Sequence, residues 1–200
     1  MKRNSEPSAF PNGQTGMGEV SRHSRAYLLC YAAVIAAVYV VLTLAFAPIS
    51  FGPIQFRISE MLCVLPAFTF AAVPGVAIGC LLANILAGAM MPDIIFGTLA
   101  TLIGAIATYW LCQRAQAPAF ASMRWRLLAV LPPIISNAAI IPFVLKYAYH
   151  LEDAVWFMVI TVGVGEILAV GVLGNVLIGI LCRYSAQLFG PVSGLRQSRL

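Results

Sequence analysis

Arg57 and Glu60, three residues apart in FGPIQFRISEML, are the only charged residues between Ala26 and Pro92. An ionisable group at the centre of a membrane helix costs about 2.5–3.5 kcal/mol on insertion scales, so such groups are paired, line a cavity or serve a function. Positions three apart on a helix are neighbours. The two residues therefore read either as a local ion pair, with Glu60 favoured near a helix N-terminus, or as the wall of a ligand site. Glu166 is the single charge between Ala154 and Cys182 and follows Gly163 and Gly165. It needs a cation, a proton or a ligand. Asp93, just after Pro92, is placed to cap a helix N-terminus or to reach a ligand from a loop. Asn84, Asn137 and Asn175 lie inside apolar segments, where asparagine joins helices by hydrogen bonding. Asn137 stands between Pro132-Pro133 and Pro142, and prolines free backbone carbonyls; an interrupted helix facing a cavity is expected there. Asn175 falls nine positions after Glu166, on the opposite side of an ideal helix, and is not expected to share its pocket.

The elements that hold these residues follow from composition. Of 200 residues, 61% are hydrophobic and 10% charged; a soluble domain carries about 25% charged residues. A spanning helix needs about 20 mostly apolar residues. Four spans are evident, near Tyr27–Ala47, Ile94–Cys112, Leu127–Ala148 and Ala154–Cys182. Ile58–Met90 is long for one span and short for two, with a turn signal at Pro74-Gly75 and Pro66 upstream. Charge parity decides. Short cytoplasmic loops are enriched in Lys and Arg. If Ile58–Met90 forms two helices and the N-terminus is inside, every basic residue of the 12 except Arg57 and Lys146 is cytoplasmic. One helix there would split the basic residues between the two sides. The expectation is an all-α membrane protein of six transmembrane helices with both termini in the cytoplasm, in the cell membrane. Its six-helix domain spans 26–184, between a disordered tail at 1–25, which lacks the pattern of a signal peptide, and a C-terminal tail at 185–200.

The same orientation accounts for the net charge of +5, so nucleic-acid binding is not expected. It also leaves Arg57 and Lys146 as the cations on the outer side that could pair with Glu166. The loop Pro48–Phe56, with Gly52-Pro53, leads from outside into the second helix. The five cysteines contain no CxxC and are odd in number, so they read as small buried hydrophobes. There is no ATP-binding loop, no HExxH and no GxSxG; no metal site, cofactor or enzymatic activity is expected. On the first helix, Ala32, Ala33, Ala36 and Ala37 form overlapping AxxxA pairs that let another helix approach closely, as do Gly75 and Gly79 on the third.

The run FGPIQFRISEMLCVLPAFTFAAVPGVAIGCLLANILAG, followed by DIIFGTLATLIGA, resembles the QueT family, most densely over Phe51–Gly104. These are substrate-binding (S) components of energy-coupling-factor (ECF) transporters assigned to queuosine precursors. The resemblance implies six helices with both termini inside, and a micronutrient bound near the external face under the first loop. It also implies docking to a transmembrane coupling subunit with two ATPases, through Ala32, Ala33, Ala36 and Ala37. Queuosine precursors are 7-deazaguanines, whose N1–H and amine suit a carboxylate such as Glu60 or Glu166. Arg57 or an asparagine suits the carbonyl, a second carboxylate an aminomethyl cation, and Phe51, Phe56 or Trp156 a stacked base. The expected substrate-binding residues are thus Arg57, Glu60, Asn84, Asp93, Asn137 and Glu166. An autonomous secondary carrier or channel using Glu166 as its coupling site is the alternative; a membrane enzyme or an assembly protein is a more distant one.

Overall fold

A computed structural model describes residues 15–50, 56–113, 120, 122–148 and 154–184. Of the loop expected at Pro48–Phe56, residues 51–55, including Phe51 and Gln55, lie outside the described residues, as do the C-terminal tail at 185–200 and residues 1–14, while Pro48–Ser50 belong to a short helix. Among the described residues all regular structure is helical. Helix α1 runs Thr15–Ala45 and a short α2 covers Ala47–Ser50. A 3₁₀ segment follows at Ile58–Ala67, then α3 at Ala72–Leu86, α4 at Met91–Cys112 and α5 at Met123–Ala148. The last helix begins as α6 at Val155–Glu166, passes through a π-helical stretch at Ile167–Leu173 and continues to Tyr184.

Four of these helices are long and apolar enough to span a bilayer, and two shorter apolar helices fill the ambiguous tract. Large apolar side chains cover their outer faces: Leu29, Ile135 and Trp156 are each more than 60% exposed. Such a surface is disfavoured in water and suits lipid. Leaving aside the four-residue α2, these six apolar segments among the described residues match the expected number. The break between the second and third, however, is at Phe68–Ala71 rather than at Pro74-Gly75. Pro74 sits in the first turn of α3, where its missing N–H has no helical partner to lose. Residues 15–25, read from the sequence as disordered, extend α1. Lengthening an existing helix is far easier than nucleating one.

The 3₁₀ segment is the centre of the molecule. It touches α1, α3, α4, α5 and the π-helical stretch, and all its residues from Ser59 to Ala67 are buried except Met61. At about 2 Å per residue it is near 20 Å long, less than the roughly 30 Å hydrocarbon core.

Around it, α3 packs on α1, α4 on α3, α5 on α4 and α6 on α5. The first contact depends on glycine. A Cβ on Gly75 would lie 3.0 Å from the Ala32 carbonyl and Ile35 Cβ, and one on Gly79 would lie 2.7 Å from Tyr39 Cβ and 3.1 Å from Ala36 Cα. Ala32 and Ala36 are therefore buried inside the protein, whereas Ala33 and Ala37 face outward. Of the four alanines expected to dock a partner, Ala32 and Ala36 are thus covered by α3. The AxxxA and GxxxG pairs meet each other. Gly79→Val should accordingly destabilise the fold by about 1–3 kcal/mol, the usual cost of overpacking. Thermal unfolding in detergent measures this, and an unchanged midpoint would contradict the packing described.

Helix α5 is continuous through Pro132, Pro133 and Pro142, so the interruption expected beside Asn137 is not there. One reason is local. Pro133 has no N–H to offer the Ala129 carbonyl, and the Thr108 hydroxyl of α4 donates to that oxygen instead, at 3.2 Å. The irregularity lies in the last helix, where π-helical turns begin directly after Glu166. Such insertions in an α-helix occur frequently at functional sites.

Candidate functional site

Four buried charged side chains gather around the start of the 3₁₀ segment: Arg57, Glu60, Asp93 and Glu166. Arg57 precedes the segment in an extended conformation. Its Nη2 lies 3.2 Å from Asp93 Oδ2, a pair that fastens the 3₁₀ entry to the first turn of α4. The sequence places Asp93 as the cap of α4, but the helix begins two residues earlier, after Met90. Pro92 is well suited to that first turn, and the Asp93 carboxylate turns to Arg57. Asn84 of α3 stands beside this pair: a Cβ on Gly97 would lie 3.3 Å from Asn84 Nδ2 and 3.4 Å from Asp93 Oδ1. Asn84 Nδ2 reaches Cys80 Sγ at 3.6 Å.

Glu60 is held from three elements. Tyr39 of α1 donates its hydroxyl to Oε1 at 2.5 Å, Thr101 of α4 approaches the same oxygen at 3.5 Å, and the Cys63 thiol donates to Oε2 at 3.0 Å. A short O–H···O⁻ bond of this kind is among the stronger hydrogen bonds in proteins. Behind it, Thr43 donates to the Tyr39 carbonyl at 2.9 Å and lies 2.7 Å from Ser59 Oγ. Opposite, Asn137 of α5 donates to Glu166 Oε1 at 3.1 Å. Glu166 Oε2 is buried and has no hydrogen-bond partner among the described residues.

Arg57, Glu60, Asn137, Ile141 and Glu166 enclose a cavity of about 10 Å³, room for roughly one water molecule. A larger cleft of about 560 Å³ lies between α4 and α5, lined by Ile103, Leu131, Ile135 and their neighbours. Its lining is almost wholly apolar, so it has little with which to orient a polar ligand. The chemistry belongs to the small cavity. Three carboxylates against one guanidinium in a low-dielectric interior cost stability, which makes this cluster the candidate site.

Of the expected binding residues, Arg57, Glu60, Asn137 and Glu166 line the cavity, while Asp93 and Asn84 stand behind Arg57. Glu166 takes Asn137 as its hydrogen-bond partner, and no Glu166 ion pair to Lys146 or Arg57 is present among the described residues. Asn175 turns to the Gly171 carbonyl at 2.7 Å and stays out of the cavity. The aromatic walls differ from expectation: Trp156 is 67% exposed against Phe157, and Phe56 does not reach the cavity. Among the cysteines, Cys63, Cys80 and Cys112 are buried but Cys30 is exposed. Tyr39, Cys63 and Thr101 are site residues that sequence reasoning misses. A signal for one of them is available. Tyr39 and Thr43 are the only polar side chains between Ala32 and Ala47, and their spacing of four puts them on one helix face.

The sequence pattern described as QueT transporter matches residues 29–183. A protein of Lactococcus lactis subsp. cremoris (strain MG1363), named "Queuosine precursor transporter QueT", is 40% identical over 84 residues. That stretch is 41% of this chain and 49% of the relative, so the chain spans about half the length of the curated relative it matches. No solved structure matches.

Proposed function

We propose, for a chain that belongs to the QueT transporter family, that it is the substrate-binding component of an ECF-type importer for a queuosine precursor. The chain is a multi-pass membrane protein of a transporter family. The observation that carries the finer reading is the buried cavity walled by Glu60, Glu166, Asn137 and Arg57. A 7-deazaguanine edge offers two adjacent donors, N1–H and the exocyclic amine, beside a carbonyl acceptor. Glu60, already oriented by Tyr39 and Cys63, accepts the donors. Arg57 donates to the carbonyl. A base is far larger than the cavity of about 10 Å³, so its walls must part to admit one. Mass spectrometry of the ligand retained by purified protein tests this: a 7-deazaguanine is expected, and a chemically unrelated vitamin would overturn the substrate.

The basic residues concentrated on one side support an orientation with both termini in the cytoplasm. On that reading a coupling subunit with two ATPases docks against the outward face of α1. The exposed positions of Ala33 and Ala37 favour them over Ala32 and Ala36 as the docking pair. Ala33→Leu should leave ligand binding unchanged and lower uptake about tenfold or more, because small-residue interfaces tolerate little added volume. Uptake at the parental rate in cells carrying the variant would reject the docking face.

One observation favours a second reading. Glu166 stands at the junction of α-helical and π-helical turns with a buried oxygen lacking a hydrogen-bond partner among the described residues, as a coupling site of an autonomous carrier would. Uptake by proteoliposomes holding this chain alone, without ATPases, would establish that alternative.

A further inference from the structure

The buried charges differ in what they already hold. Among the described residues, three buried carboxylates face one buried guanidinium. Asp93 and Arg57 balance each other at 3.2 Å. Glu60 accepts hydrogen bonds from Tyr39, Cys63 and Thr101. Glu166 receives one, from Asn137 on Oε1, and its Oε2 is buried without a partner among the described residues. Glu166 is 6% exposed and lines the cavity together with Glu60.

We propose that Glu166 selects for positive charge on the ligand, its Oε2 receiving an ammonium group while Glu60 and Arg57 hold the base edge. A neutral donor at Oε2 would complete its hydrogen bonding. It would still leave two carboxylates facing one small buried cavity, and like charges in low dielectric repel strongly. A cation placed there removes that repulsion and gains a charge-assisted hydrogen bond. Glu60 lies on the 3₁₀ segment and Glu166 on the last helix, so the base edge and its charged arm are assigned to different elements. This inference rests on the 7-deazaguanine reading and adds the residue that distinguishes among such ligands.

The test uses two probes with arms of similar size that differ in charge: 7-aminomethyl-7-deazaguanine and 7-hydroxymethyl-7-deazaguanine. Their affinities for the purified full chain in detergent are measured by calorimetry. The parent is expected to prefer the aminomethyl compound by about 30-fold, as for one desolvated charge pair. Glu166→Gln should abolish that preference and bind both probes as the parent binds the neutral one. Glu166→Asp, which keeps the charge, should retain a preference, which guards against a general loss of folding. An equal loss of both probes in Glu166→Gln would overturn the inference while sparing the ligand reading, because Glu166 would then serve the base edge. A preference that survives in Glu166→Gln would overturn it too. If the parent binds neither probe, the 7-deazaguanine reading itself fails.

Discussion

Glu60→Gln is expected to weaken 7-deazaguanine binding by about 300-fold while the helical bundle remains folded. The carboxylate is the one group in the cavity wall positioned from three sides, by Tyr39, Cys63 and Thr101. Hydrogen bonds to a charged acceptor are worth roughly 1.5–3 kcal/mol each. Losing the charge under two such bonds, at about 1.4 kcal/mol per tenfold, brings the loss into the hundreds. The carboxamide keeps one oxygen for Tyr39 and Thr101, and its amine can face the Cys63 sulfur, a weak acceptor. The fold should therefore lose only about 1–2 kcal/mol. Tyr39→Phe makes the comparison sharper. It leaves the charge and removes its 2.5 Å donor, so binding should fall by a smaller factor, near tenfold. Calorimetry on both variants, with thermal unfolding as the control, decides the matter. Binding of Glu60→Gln within threefold of the parent would make Glu60 a structural residue only.

The difference between what sequence reasoning reaches and what it misses has a physical pattern. Charges in apolar tracts are visible because nothing else in the chain resembles them, so Arg57, Glu60 and Glu166 stand out on residue type alone. Their partners do not. Tyr39, Cys63 and Thr101 are ordinary residues in a membrane helix, and only the convergence of α1, the 3₁₀ segment and α4 makes them donors to one carboxylate. Helix number is legible from charge parity, but helix type is not. Ile58–Ala67 is mostly apolar like its neighbours, and nothing in its residue types distinguishes a 3₁₀ segment from an α-helix. Proline misleads twice. Pro74-Gly75 reads as a turn, yet the glycine is there for the approach of Ala32 and Ile35. The prolines around Asn137 read as a helix break, yet a threonine from α4 satisfies one of the carbonyls they release. The true irregularity, after Glu166, carries no proline at all. The alanines of α1 show the same limit, since overlapping AxxxA pairs present two faces and only packing decides which of them points inward.

Arg57 carries the other large effect, and it separates two roles that the geometry superimposes. Its guanidinium pairs with Asp93 and also lines the cavity, so it can fasten the 3₁₀ entry to α4, touch the ligand, or do both. Arg57→Met alone leaves the Asp93 carboxylate buried without its cation. Breaking a buried pair in this way costs about 3–5 kcal/mol, and the variant should unfold readily in detergent. Replacing both members by apolar residues of similar size is often neutral, because neither charge is then left uncompensated. Arg57→Met combined with Asp93→Leu should therefore recover most of the lost stability. Ligand affinity provides the discrimination. If Arg57 donates to the carbonyl of the base, the double variant folds but still binds about 100-fold more weakly, since a charged donor worth roughly 1.5–3 kcal/mol is gone. If Arg57 only fastens the 3₁₀ entry to α4, affinity returns with the fold. Unfolding midpoints and binding constants on the parent, the single and the double variant form one cycle. Recovery of both quantities together would remove Arg57 from the ligand site and leave Glu60 and Glu166 as its charged walls.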